Sequence, residues 1–250
     1  MQKFFADISN IVDGRIHLEG PDVNHIKNVL RMKPGEDIRV SDGRGKTYLC
    51  CIAGYEDGKA LLDILKELDT DTELPSEIVL FQGLPKGDKM DLIVQKAVEL
   101  GAARIVPFAA KRSIVKLDKK KEEKKQARWQ AIAKGAAEQS GREIVPEVGH
   151  LLSYEEALRE ASGLDVVLIP YELEDGMEET ARVISSIKPG QSVGVFIGPE
   201  GGFEEDEIAA AREEGARIIT LGKRILRTET AGLTTLSILM YHLESGRHSL

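Results

Sequence analysis

Two rhythms of apolar and polar residues divide the chain. Up to about residue 70, short apolar runs and alternations ("KFFAD", "RIHLE", "EDIRVSD", "KTYLCCIAGYE", "KALLDILKEL") are separated by turn signals such as "DG" and "PGED". They predict short strands. One helix is predicted among them at "PDVNHIKNVLRM", where Pro21 suits a first turn and Ile26, Val29 and Leu30 share a helical face. Short strands with one helix predict a small barrel over residues 1–70. The polar, proline-containing "ELDTDTELPSE", 67–77, reads as the linker behind it.

From residue 74 the rhythm changes. Apolar strand-like runs "EIVLFQGL", "RIVPFA", "DVVLIPYE", "SVGVFIGPE" and "RIITLG" alternate with helical patterns. The helices fall at "KMDLIVQKAVELG", at about 118–140, at "GMEETARVISSI", at "EEDEIAAAREEG" and at 229–244. This alternation predicts a mainly parallel sheet covered on both faces, an α/β domain over 74–250. In the last helix Leu233, Leu236, Met240 and Leu243 form an apolar stripe, for core packing or for a subunit contact.

Composition removes several classes. No 18-residue apolar stretch is present, so no transmembrane helix is expected. The start "MQKFFADISN" lacks the apolar segment of a secretory signal, and a cytoplasmic location is the expectation. Cys50 and Cys51 are adjacent in a strand-like run, where neighbours do not readily form an unstrained disulfide, and they read as ordinary strand residues. The five histidines are scattered, and no metal site is expected. The net charge of −8 disfavours a nucleic-acid partner until it is resolved along the chain. Residues 1–70 carry −2, residues 71–150 carry +3 and residues 151–250 carry −9. A local basic face matters more to a phosphate backbone than the total does. Within "KRSIVKLDKKKEEKKQAR", 111–128, Glu122 and Glu123 suit i,i+4 pairing on a solvated helix.

The candidate chemistry lies at strand ends. In "VFIGPEGGFEEDEI", 195–208, an apolar run stops at Gly198, Gly201 and Gly202 before an acidic helix start. In open α/β sheets ligands bind beyond the carboxyl ends of strands, and glycines let backbone approach them. Glu204, Glu205, Asp206 and Glu207 would repel a phosphate at that helix start, and neither GxGxxG nor GxxxxGK[ST] occurs. A ligand carrying positive charge fits better; the alternative is a tight turn before a solvated acidic helix. A second strand end, "LGKRILRTETAGLTTLSIL", 221–239, crowds three cations before a threonine-capped helix. A third, "IPYE" at 169–172, is available to complete a pocket for a small amphipathic cofactor.

"IGPEGGFEEDEI" followed by "LGKRILRTETAGLTTL" resembles the RsmE family of SPOUT-class RNA methyltransferases. "HIKNVLRMKPGEDIRVSDGRG", "LPKGDKMDLIVQKAVELGAARIVPF" and "AAEQSGREIVPEV" extend the resemblance over nearly the whole chain, in the family's order. The resemblance implies an α/β fold with an N-terminal PUA-like RNA-binding β-barrel, 1–70, and a SPOUT domain, 74–250, with a C-terminal trefoil knot, as a homodimer. It implies S-adenosylmethionine-dependent methylation of N3 of a uridine in 16S ribosomal RNA of the small subunit (1498 in the usual RNA numbering). By the same resemblance the cofactor falls to Ile169, Pro170 and Tyr171, to Ile197, Gly198, Glu200, Gly201 and Gly202, to Leu221, Gly222, Ile225 and Leu226, and to Thr230 and Ala231. Arg31 and Arg142 are family-like too, Arg31 as an RNA contact and Arg142 as a contact to RNA or the partner subunit, while Lys111, Arg112 and Lys116 are RNA candidates because they stand outside the main lysine run. His25 is family-like but reads equally as a packing residue.

Uracil N3 must lose a proton as it takes the methyl group, and charge then develops on O2 and O4. Arg227 and Glu229 are the nearest motif residues for these roles; phosphate contact and helix capping are their other readings. Three other functions compete: a SPOUT enzyme acting on another RNA such as transfer RNA, a non-catalytic ribosome-assembly factor, and a doubly wound oxidoreductase. Intact "GPEGG" and "LRTETAG" weigh against the second, and the missing GxGxxG against the third.

Overall fold

The computed structural model describes residues 1–12, 14–113 and 119–245. They group into two units, Met1–Glu73 with Ala137–Val145, and Leu74–Ala136 with Pro146–Leu250. The first unit is a six-stranded sheet of β1 (Lys3–Phe5), β2 (Ile11–Val12), β3 (Arg15–Leu18), β4 (Asp37–Ser41), β5 (Thr47–Glu56) and β6 (Lys59–Leu68). The order is β1-β4-β5-β6-β3-β2. Only β1–β4 is parallel; the other pairs are antiparallel, as short turns such as Asp57–Gly58 allow. Alternate residues, among them Ile16, Leu18, Ile38, Val40, Ile52 and Leu62, form the core. Cys50 lies inside it, and burial pushes its thiol pKa up to about 12.

The helix expected after Pro21 is two pieces, α1 (Pro21–Asn24) and a π-helical turn, His25–Val29. The wider turn bonds Leu30 N–H to His25 O, five residues back, and leaves Ile26 buried but Val29 exposed. The His25 ring meets Phe4 edge-on at 5.8 Å, which fits its packing reading. Arg31 closes the turn in the left-handed region, φ 57°, and is exposed.

Segment Ala137–Val145 groups with this first unit, where two consecutive blocks were expected. Polar contacts hold it: Lys3 Nζ donates to Gly141 O at 3.0 Å, and Ser41 Oγ to Glu143 O at 2.7 Å. Arg142 was expected to meet RNA or a partner subunit. It is 4% exposed, and its guanidinium lies on the Glu73 carboxylate through Nε at 3.0 Å and through Nη2. A guanidinium so enclosed has no open side for a phosphate, so its place is structural.

The second unit carries a parallel sheet of β7 (Glu77–Gly83), β8 (Arg104–Ala109), β9 (Glu147–Val148), β10 (Leu152–Ser153), β11 (Val166–Pro170), β12 (Ser192–Ile197) and β13 (Arg217–Ile219). Its order is β10-β8-β7-β12-β11-β13, with β9 also on β8. The helices are α2 (Lys89–Glu99), α3 (Lys119–Ser140), α4 (Tyr154–Ala161), α5 (Met177–Ser186), α6 (Glu205–Glu213) and α7 (Thr228–Ser245). α4 was not expected, though Ser153 and Glu156 make a full capping box at its start. Phe81 and Phe196 stack at 4.4 Å between centroids, with Phe108, Tyr154 and Phe203 around them. In the last helix Leu236 and Leu243 are core, Leu233 and Met240 are half-buried, and Ile238 and Tyr241 face out. Leu236 and Leu243 therefore serve packing within this unit, where α7 lies against α2 and β12. No helix among the described residues is long and apolar enough to cross a membrane.

Two strand-order facts position the site. β12 inserts between β7 and β11, and β13 lies on the far side of β11. The loops after β11, β12 and β13 therefore leave one sheet edge side by side, all at carboxyl ends. The turn after β12 also comes down onto β7: a side chain at Gly83 would sit 2.6 Å from Pro199 N, so only glycine fits there.

Candidate functional site

The three loops enclose a cleft of about 330 Å³, within the range of small-ligand sites. The loop after β11 gives Pro170, Tyr171 and Glu172; the loop after β12 gives Ile197, Gly198, Glu200, Gly202 and Phe203. The loop after β13 gives Leu221, Gly222, Arg224, Ile225, Leu226 and Arg227, and α7 adds Thr228 and Ala231. Most of the residues expected at a cofactor therefore share one cleft. Three do not line it. Ile169 is fully buried in the sheet core. Gly201 faces outward: a Cβ there would meet the Arg112 Cβ at 2.9 Å. Thr230 is exposed on the first turn of α7, outside the lining.

The lining mixes apolar and charged side chains. Pro170, Ile197, Leu221 and Leu226 offer hydrocarbon, and Ile225 at the lip is 86% exposed. A bare isoleucine beside a cleft is surface that a bound flat ring would cover. Gly202 has φ +68°, and a Cβ there would stand 2.8 Å from Glu172 Oε1, so it brings backbone against that carboxylate. Arg227 is exposed on the lining, with no side-chain partner among the described residues. Beside it Lys89 Nζ lies 2.9 Å from Glu200 Oε1 and 3.5 Å from Glu229 Oε2. Desolvation pushes the Glu200 carboxyl up, but Lys89 and the Lys86 backbone N–H outweigh it, and its pKa lies below the usual range. The hydrogen bond to Glu200 holds Lys89 above its ordinary value. Desolvation raises Tyr171.

A buried relay ties the cleft's parts together. Gln82 at the end of β7 donates from Nε2 to Thr228 Oγ1 at 2.9 Å, and the Thr228 hydroxyl donates to Gly198 O at 2.6 Å. The relay joins β7, the turn after β12 and the first residue of α7. Thr228→Val keeps the shape and removes the hydroxyl, leaving a buried amide and carbonyl short of partners. A loss of about 1–3 kcal/mol is expected. Urea unfolding measures it, with Thr228→Ser restoring most of the loss; wild-type stability in the valine variant would discount the relay.

Lys111 and Arg112, expected on RNA, are engaged elsewhere. Lys111 Nζ pairs with Asp206, and its backbone N–H donates to Glu207 Oε1 at 2.9 Å. Arg112 grips both oxygens of Glu204 at 2.8 Å. Its hydrogen bond holds the Glu204 carboxyl below the usual range. The pair therefore stabilises at neutral pH and is lost as pH falls through that depressed value. Lys116 lies outside the described residues.

A family model described as an RNA methyltransferase domain matches residues 72–240, and one described as an RNA methyltransferase PUA domain matches residues 18–65. The ribosomal RNA small subunit methyltransferase E of Bacillus subtilis (strain 168) is 38% identical over 250 residues, 98% of each chain. The chain belongs to the RsmE family. A further RsmE relative, from Synechocystis, is 32% identical over 94% of this chain and 76% of its own. A crystal structure of a ribosomal RNA small subunit methyltransferase E from Neisseria gonorrhoeae bound to S-adenosyl methionine matches with a TM-score of 0.83 at 36% identity, over 96% of this chain and 97% of that one. The RsmE match extends through both units, so the front sheet is a PUA domain within an α/β fold.

Glu172 falls within the "IPYE" strand end and Thr228 within the threonine-capped helix start that the sequence offered, whereas Lys89, Phe203 and Gln82 were not singled out as site residues. Lys89 and Phe203 lie inside the quoted motifs, and Gln82 is one polar residue inside the apolar run "EIVLFQGL".

Proposed function

We infer that this chain is an S-adenosylmethionine-dependent ribosomal RNA methyltransferase that modifies N3 of a uridine in 16S RNA of the small subunit, position 1498 in the usual RNA numbering. The observation that carries the reading is that three strand-end loops share one cleft at the carboxyl edge of the sheet, in a chain that matches RsmE proteins nearly end to end. The cleft suits the cofactor: apolar walls and the bare Ile225 for adenine, and the Glu172 carboxylate for a cationic group. Pro170, Tyr171, Ile197, Gly198, Gly202, Leu221, Gly222, Leu226 and Ala231 are the residues that would hold it. Bound there, S-adenosylmethionine supplies an activated methyl group.

The rest of the chemistry belongs to side chains of this protein. Arg227 stands at the cleft with its guanidinium free of carboxylates, and it stabilises negative charge on the uracil oxygens. Glu229 accepts the N3 proton, directly or through water; its carboxylate lies outside the cleft lining, 3.5 Å from the Nζ of Lys89, which does line it. Arg31, exposed and turned out by its left-handed backbone, is the front unit's RNA contact. The finer fold features belong to this reading too: closure of the front sheet as a barrel, a C-terminal trefoil knot, a homodimer, and a cytoplasmic location.

Calorimetry with S-adenosylmethionine, NAD and ATP tests the cofactor, and mass mapping of 16S RNA nucleosides with and without the gene tests the product. We expect binding of the first ligand alone and loss of one N3-methyluridine. An unchanged nucleoside map would overturn the substrate assignment.

A further inference from the structure

We propose that Arg112 is a positioning residue for the cofactor turn, holding the Gly201–Gly202 peptide from behind, and is not an RNA contact. The proposal rests on the cofactor reading above. The peptide that joins Gly201 to Gly202 is one rigid plane, with its C=O and N–H pointing opposite ways. Both ends are held. Arg112 Nη1 donates to Gly201 O at 2.9 Å, and Gly202 N–H donates to Pro199 O at 2.9 Å. Tilting the plane breaks both bonds, so Arg112 sets the direction in which Gly202 presents its backbone to the cleft.

The guanidinium is itself fixed. Its Nε and Nη2 donate at 2.8 Å to the two oxygens of Glu204, the residue that caps the start of α6. A fork already engaged on a carboxylate and a carbonyl has no bidentate face left for a phosphate. Exposed ion pairs usually contribute little, but a paired arginine fork is the geometry that departs from that rule. Its stem is seated as well. The Arg112 Cβ occupies the space beside Gly201, 2.9 Å from where a Cβ would stand. Arg112 reaches the turn because its own loop is closed, Ser113 N–H bonding to Ala110 O at 2.9 Å and Ala110 N–H to Ser113 Oγ at 3.0 Å. The glycine at 201 thus admits an arginine from outside, while the glycine at 202 faces the ligand.

The test compares Arg112→Ala, Arg112→Lys and Glu204→Gln in the full chain. Calorimetry gives the S-adenosylmethionine Kd, and filter binding gives the affinity for a 16S RNA fragment without cofactor at two salt concentrations. We expect Arg112→Ala to weaken the cofactor about tenfold, as for loss of one well-placed charged donor. Arg112→Lys should fall between, since a point charge cannot serve both partners. Glu204→Gln, which keeps the shape and frees the fork, should also weaken cofactor binding. RNA affinity and its salt slope should stay within about twofold of wild type, and the methylation rate should recover at saturating cofactor. If Arg112→Ala fails to fold, the glutamine variant carries the test alone. Unchanged cofactor affinity in a folded variant overturns the proposal, as does a loss of RNA affinity with cofactor affinity intact. A wild-type protein that binds no S-adenosylmethionine overturns the functional reading instead.

Discussion

Arg227→Ala is expected to slow methyl transfer about a hundred- to a thousand-fold at saturating RNA and cofactor, the usual cost of removing one preorganised donor. Three observations set the size. Arg227 lines the cleft, no carboxylate among the described residues neutralises it, and its carbonyl accepts the Ala231 N–H at 2.8 Å, so its backbone is fixed to the first turn of α7. A cation anchored through its backbone on a rigid element is positioned to meet charge as it develops on a uracil oxygen. The competing role is a phosphate contact, and kinetics separate the two. A transition-state role lowers the single-turnover rate, whereas a phosphate role raises the RNA concentration needed and spares the rate. Glu229→Gln belongs beside it. If Glu229 takes the N3 proton, its loss should be partly rescued at higher pH, where uracil ionises unaided. A full single-turnover rate in Arg227→Ala would remove the arginine from the chemistry.

What could be read ahead of the structure divides along physical lines. Strands β7, β8, β11, β12 and β13 were legible because buried parallel strands are near-continuous apolar runs. The ends of β11, β12 and β13 then pointed at the cleft, since ligands gather at carboxyl ends. Lys89 was not legible. It is one charged residue with no periodicity, and only the insertion of β12 between β7 and β11 brings the neighbourhoods of Lys89 and Glu200 together. Arg142 was misread for a related reason. A charged residue in a glycine-bounded segment reads as surface, and its enclosure depends on Glu73, 69 positions earlier in the chain. For Gly201 the residue type was informative and the reason was not: glycine signals a close approach without saying from which side.

Phe203→Ala is expected to cost about 3–5 kcal/mol of stability and to abolish cofactor binding, the largest structural effect in the second unit. Phe203 ends the "GPEGGF" turn and is 2% exposed. Its ring lies nearly parallel to Phe108, 6.2 Å between centroids, and meets Tyr154 at 5.8 Å. On its other side it fills the space next to Gly198, where a Cβ would stand 3.2 Å from the ring. One side chain therefore plugs the core and supports the floor of the cleft, and truncation leaves a cavity under the turn. The stability loss follows from lost burial and the residual void. The binding loss follows because the Gly198 carbonyl, which accepts from Thr228, then rests on nothing rigid. Phe203→Leu separates the two effects. It returns most of the volume and should recover most of the stability. It does not restore the flat ring against Gly198, so cofactor affinity should stay reduced. Urea unfolding followed through the second unit's transition, with calorimetry on whatever remains folded, gives both readings. If the alanine variant keeps wild-type stability, the ring is not a core element. If it is destabilised but binds S-adenosylmethionine as tightly as wild type, Phe203 serves the core alone, and the turn holds its shape through Arg112 and Thr228.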